Sequence, residues 1–285
     1  MPSPRDLLPI NPGDLVPLPD SVEDASFDPT PPGAGPSSTP PPRRWWGRPV
    51  AELRWQAELA RLLVDPVFRG AGVQRGDGAP VILVPGFLAG DLTLAVMRGW
   101  LGRMGYDAHG CGMVANVDCS DRTADRLHGQ VVALHASTGR RVTVIGHSRG
   151  GHFAKALARR DPGRMAAAIS IGAGLDSPFD ISTPTRAAVR VVRAIHEQTS
   201  DRVARNGCFT ETCRCRFATD FAGPTPDAVP FTSIYSKGDG IVRWRASVVP
   251  YARCVEVTGS HVGLAFNRKV YAEVGRTLAA QTRGI

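Results

Sequence analysis

The chain has 285 residues, enough for one large or two small domains, and 42% of them are apolar, enough for a full core. Its formal charge of +8 is uneven: residues 1–45 carry 3 basic and 6 acidic side chains, so the remainder has a net charge of +11. The arginines (31, against 3 lysines) are scattered, and no nucleic-acid motif or run of transmembrane length occurs, so neither a nucleic-acid partner nor a membrane span is expected; attraction to an anionic surface or acidic substrate stays open.

Residues 1–44 hold 13 of the 24 prolines, with few aromatic and many acidic residues. Such a segment cannot bury enough surface to offset its ordering entropy, so a disordered or extended tail is expected ahead of a folded body, 45–285. The first ten residues lack a charged stretch followed by an apolar one, so no signal peptide is expected and a cytoplasmic location follows as an expectation. Arg43-Arg-Trp-Trp46 ends the tail, and its adjacent tryptophans are placed to anchor the tail on the body or to meet a partner. From Pro49 to about Val64, Leu53, Ala57, Ala60 and Val64 recur at helical spacing, with Pro49 to start the helix and Pro66 to stop it.

Val81 to Val84 form a continuous apolar run, as a strand buried on both faces requires, and Pro85-Gly86-Phe87 turn the chain out of it. A helix is expected over about Leu92 to Met104, a short strand over Tyr106 to His109, and a helix over Asp121 to Ser137 with Ser120 placed to cap it. Next comes Val142-Thr-Val-Ile-Gly-His-Ser-Arg-Gly-Gly151, a short apolar strand running into G-x-S-x-G and an alanine-rich helix to Arg160. A turn from strand to helix within a residue or two forces Ser148 into a strained conformation. Only small neighbours fit beside it, hence Gly146 and Gly150. The turn also sets Ser148 at a helix N-terminus, where negative charge is favoured.

Met165 to Ile171 reads as another strand, ending in Gly172-Ala-Gly-Leu-Asp176. Residues 184–204 break the rhythm: Ala188, Val191, Val192 and Ile195 share one face, an amphipathic helix inserted between strands. This is the heart of a lid or cap insert over about 177–225. Phe231 to Tyr235 and Cys254 to Val257 restore the strands, and a last helix runs over Lys269 to Gln281. The alternation predicts an α/β fold with a mostly parallel sheet covered on both faces.

An activated serine needs a base, an orienting acid and an oxyanion hole. His261, in the loop after the last strand, is the base chosen among 7 histidines. His147 lies inside the turn and is expected to line the site or pack, and His152 falls on the following helix. Asp239, flanked by Gly238 and Gly240 after the penultimate strand, is the acid; Asp176 is its rival. The backbone N–H groups of Arg149 and Phe87 are the oxyanion donors, with Leu88 the neighbouring candidate; Leu88 and His147 are also the candidates to line the substrate pocket. Among the six cysteines, a loop disulfide between Cys208 and Cys213 or Cys215 is open, as is one between Cys111 and Cys119. The Cys213-x-Cys215 spacing does not match a zinc site, no histidine completes one, and no metal or cofactor is expected.

Val-Pro-Gly-Phe87, Gly-His-Ser148-Arg-Gly-Gly, Tyr-Ser-Lys-Gly-Asp239-Gly-Ile-Val and Gly-Ser-His261-Val-Gly together resemble bacterial lipase- and esterase-like members of the α/β-hydrolase superfamily, over about residues 80–280. The resemblance implies that fold and hydrolysis of a small-molecule or lipid ester through an acyl-enzyme, with Ser148, Asp239 and His261 as the triad. Two positions depart from it. Many such lipases carry His-Gly where this chain has Pro85-Gly86, and leucine or glutamine at the position of Arg149. That arginine either favours an acidic substrate or points into solvent. The superfamily also includes thioesterases, acyltransferases and members without catalysis, so a transferase or a binding protein are the alternatives.

Overall fold

The structure is a computed structural model that describes residues 52–199 and 207–282. The expected tail, its boundary with the body, Trp45, Trp46, Pro49 and the end of the 184–204 helix lie outside the described residues. Six strands form one sheet: β1 (Pro80–Val84), β2 (Asp107–His109), β3 (Val142–His147), β4 (Met165–Ile171), β5 (Phe231–Ser236) and β6 (Arg253–Val257). Their order is β2-β1-β3-β4-β5-β6, and all five pairings are parallel.

The continuous apolar runs follow from this arrangement, because each interior strand is covered on both sides. Val81 and Leu83 of β1 join one core with Ile145, Ile169 and Ile234, packed under Leu62, Trp100, Leu101 and Tyr271. Ile82 and Val84 join the other, with Val144, Ala168, Leu127, Phe153 and Leu157. Alternate residues of one strand thus feed opposite cores. The helices that cover the first face include α1 (Trp55–Val64), α2 (Ala95–Arg103) and α7 (Arg268–Thr282). The second is covered by α3 (Ser120–Thr138) and α4 (Arg149–Arg160). Each fully buried branched or aromatic side chain contributes about 1.5–3 kcal/mol, so the two cores hold the sheet in place.

Three helices differ from their sequence expectations. In α1 the apolar stripe that marks the helix faces outward: Leu53 is 67% and Val64 70% exposed, while the buried positions are Glu58 and Leu62. Burial of Glu58 has a polar reason, taken up below. In α3 the cap position is Cys119 and Ser120 is already helical, its hydroxyl accepting from Arg149 instead of closing the helix end. Between β4 and β5 lie α5 (Thr183–Thr199) and α6 (Arg216–Phe221). Val191 and Ile195 of α5 are more than half exposed, and its side toward the interior cavity carries Thr185 and Val189 instead.

Candidate active site

The β3–α4 junction is as sharp as its sequence demands. Ser148 has φ 53° and ψ −125°, a conformation costly for any side chain. A methyl at Gly146 would strike the backbone of Gly150, and one at Gly150 would strike the carbonyl of Val84. Both positions therefore require glycine. The strained turn is held by the Ser148 N–H donating to the Ile171 carbonyl (2.8 Å) and by the Gly151 N–H donating to that of Ser148 (2.8 Å).

At the end of β6, His261 is buried and its Nδ1 lies 2.6 Å from Oδ2 of Asp239, which follows β5. The other oxygen of Asp239 accepts the N–H groups of Ile241 (2.8 Å) and Val242 (2.7 Å), so the carboxylate is aimed. Gly172, at the end of β4, leaves room for this pair: a methyl there would sit 3.3 Å from Asp239 and 3.4 Å from His261. Burial alone would hold the His261 imidazole low, but the charge and hydrogen bond of Asp239, with the charge of Glu52, raise its pKa above the ordinary value. Ser148 is not hydrogen-bonded to His261, a contact that often closes only with substrate in place. Asp176, the rival acid, lines the cavity instead; the imidazole pairs with Asp239.

Ser148 opens onto a cavity of about 640 Å³, within the range of small-molecule sites. Phe87, Val189, Phe209, Phe217 and Phe221 give it an apolar wall. Phe87 forms an isolated bridge with Asn116, and the Arg149 N–H, first in α4, has no intrahelical acceptor. Leu88, with φ 61°, is 56% exposed and stands outside the cavity lining. His147 does not line it either. Its Nε2–H donates to the His261 carbonyl at 2.9 Å, and burial pushes its pKa down to about 4, so it stays neutral and braces the histidine loop.

A sequence model of the alpha/beta hydrolase fold matches residues 29–215. The chain belongs to the α/β-hydrolase fold family. Among solved structures, a monoglyceride lipase from Saccharomyces cerevisiae is similar at 13% identity and a TM-score of 0.51, over 73% of this chain and 90% of that one. A lipase from Bacillus licheniformis is similar at 14% identity and a TM-score of 0.50, over 72% and 94%. These likenesses establish a shared fold. No curated protein sequence matches the chain significantly.

In this α/β hydrolase, several residues near the site escaped the sequence reading. Glu52 accepts N–H groups from Gly240 (3.0 Å), His261 (3.0 Å) and Val262 (2.8 Å). Glu58 accepts the Ser260 N–H (3.0 Å) and hydroxyl (2.8 Å). Two carboxylates of the first helical segment thus cradle the loop that carries His261. The spacing Glu52/Glu58 carries no motif, and nothing in the sequence marks either glutamate as a loop anchor. Asn116 is a third case: its Nδ2 donates to the Pro85 carbonyl (2.8 Å), fixing the turn before Phe87. Its carbonyl and Oδ1 accept from Arg149, whose guanidinium also donates to the Asp118 carbonyl and Ser120 hydroxyl. Arg149 therefore does not point freely into solvent: it is half-buried at the cavity wall, with its guanidinium hydrogen-bonded to the 116–120 loop. As for metals, Cys119, Cys208 and Cys215 converge beside this arginine.

Proposed function

We propose that the protein is a serine hydrolase of carboxylic esters, with Ser148 as nucleophile, His261 as base and Asp239 as the acid that orients it. The observation that carries this reading is the strained Ser148 at the end of β3 combined with the buried 2.6 Å His261–Asp239 pair at the ends of β6 and β5, three and two strands away. In the reaction, His261 Nε2 takes the Ser148 proton as the hydroxyl oxygen attacks the ester carbonyl. Asp239 holds Nδ1–H, which fixes the tautomer and stabilises the imidazolium. The N–H groups of Phe87 and Arg149 receive the negative charge that develops on the carbonyl oxygen. The proton passes to the leaving alcohol, and water then releases the acyl group by the same steps in reverse order.

The apolar cavity, walled by Phe217 and Phe221 from the insert and by Val189 of α5, suits the acyl chain. In this reading the 177–225 insert is a cap over the site, and a lipid ester is within reach of the chemistry. The test is hydrolysis of p-nitrophenyl esters from acetate to palmitate by the protein and its Ser148→Ala variant. Turnover by the first, reduced by several orders of magnitude in a folded variant, is expected. An active Ser148→Ala protein would overturn the assignment, as would a fluorophosphonate probe that leaves Ser148 unlabelled. Products formed with an added alcohol acceptor separate hydrolysis from acyl transfer.

A further inference from the structure

We propose that Cys119, Cys208, Cys213 and Cys215 form a thiolate site for a zinc-class divalent ion, which staples the cap to the body beside the cavity. Cys119 stands immediately before α3, on the body. The other three come from the segment that leads into α6, on the cap. Cys208 Sγ lies 3.6 Å from that of Cys119 and 3.4 Å from that of Cys215, and all three sulfurs fall within 4.8 Å of one another. Four thiolates at tetrahedral zinc, each about 2.3 Å from the ion, stand about 3.8 Å apart, so the three are close to ligand spacing before any ion arrives. Cys213, half-buried, packs against the trio and supplies the fourth ligand.

A second observation is independent of the sulfurs. Arg149 is a half-buried cation whose hydrogen bonds go to neutral oxygens: the carbonyls of Asn116 and Asp118, the Asn116 side chain and the Ser120 hydroxyl. The nearest carboxylate on that loop, Asp118, is paired with Arg122 (2.7 Å). A charge drawn partly out of water with no carboxylate hydrogen-bonded to it is costly. Cys119, Asp118 and Cys208 all lie close enough to Arg149 to interact electrostatically with it, but the Asp118 carboxylate is shared with Arg122. Binding one divalent ion releases four protons and leaves four metal–sulfur bonds with a net charge of −2, with no change of oxidation state. That anion compensates Arg149. A disulfide between any two of these residues is neutral, leaves a third buried thiol beside it and gives the arginine nothing.

The consequence is mechanical. The stapled segment carries Phe209, over which Arg149 stacks at 5.1 Å, and Phe209, Thr210 and Glu211 line the cavity. Sequence spacing hid the site because Cys119 and Cys208 are 89 residues apart.

The test uses the full chain, purified reduced and stripped with a chelator, then titrated with Co(II). The expected result is uptake of one ion per chain, with the intense d–d and sulfur charge-transfer absorption of tetrahedral cobalt thiolate. Zinc displaces the cobalt and raises the melting temperature. Cys208→Ser removes the charge-transfer band, whereas Cys254→Ser, outside the cluster, retains it. If Cys208→Ser fails to fold, the wild-type spectrum still decides. No uptake by the reduced protein, a cobalt spectrum without thiolate bands, or a disulfide among the four cysteines in metal-free protein as isolated would each overturn the proposal.

Discussion

One oxygen of Glu52 accepts both the N–H of His261 and that of Gly240, each at 3.0 Å, tying the His261 loop to the Asp239 loop. Its second oxygen takes the N–H of Val262. Replacement by glutamine keeps the shape but turns an amide NH2 toward one of these donors. Glu52→Gln is expected to cost about 1–3 kcal/mol of stability and to lower kcat/KM about tenfold. Because the Glu52 charge helps raise the His261 pKa, the acid limb of the pH–rate profile also moves to lower pH. A thermal melt beside a pH profile checks both; an unmoved acid limb would show that Glu52 acts by shape alone.

The profile itself is the second prediction. A base must be neutral, and the His261 pKa lies above 6.5, so kcat/KM falls as pH drops through that raised value. Asp239→Asn removes the charge and favours the wrong tautomer. The remaining influence of burial then shifts the limb downward, while kcat falls about 10⁴-fold. The stability effect has the opposite sense: the raised pKa contributes stability that is present below pH 6.5 and lost as pH rises through the folded value.

Gly263 offers a steric test. A methyl on it would land on the Glu58 carboxylate, so the histidine loop can pass α1 only without a side chain here. Gly263→Ala is expected to destabilise by about 1–3 kcal/mol. In a Glu58→Ala background the added penalty shrinks, because the obstructing group is gone. A double-mutant cycle by urea denaturation measures this; strictly additive effects would refute the contact.

Lys155 is buried beneath the cavity, donates to the Leu175 carbonyl (2.8 Å) and sits over the rings of Phe221 and Tyr251. Burial, reinforced by the charge of Arg159, pushes its pKa down from 10.5 to about 8. Between those values the unfolded chain holds a proton that the folded chain has lost, so this group makes stability rise with pH there. Lys155→Met is expected to lack that rise. Urea midpoints of both proteins across the window give the comparison, and parallel curves would contradict it.

The sequence exposes what local chemistry dictates. The run Val81–Val84 reads as an interior strand because both its faces are covered, and Ser148 reads as a strained turn because its glycine neighbours have no alternative. The order of strand ends then brings Asp239 to His261. What stayed hidden depends on the fold itself. Nothing near Leu53, Ala57 or Val64 says that their stripe faces outward, because that choice is made by the N–H groups of a loop 200 residues away seeking Glu52 and Glu58. In α5, Val191 and Ile195 form an apolar stripe by periodicity, yet the neighbours decide which side meets the cavity. Arg149 likewise turned toward carbonyls of a loop that its own surroundings in sequence do not reveal.

The cradle of the histidine loop has a temporal side. Its carboxylates are made first and its amides almost last, 209 residues later in the case of Glu52 and His261. While the end of the chain is still unmade, the His261 loop is absent and the two glutamates have no amides to hold. On the proposed assignment, Ser148 stays unarmed until the loop that carries His261 has been made and docked, so the chemistry waits for the end of synthesis.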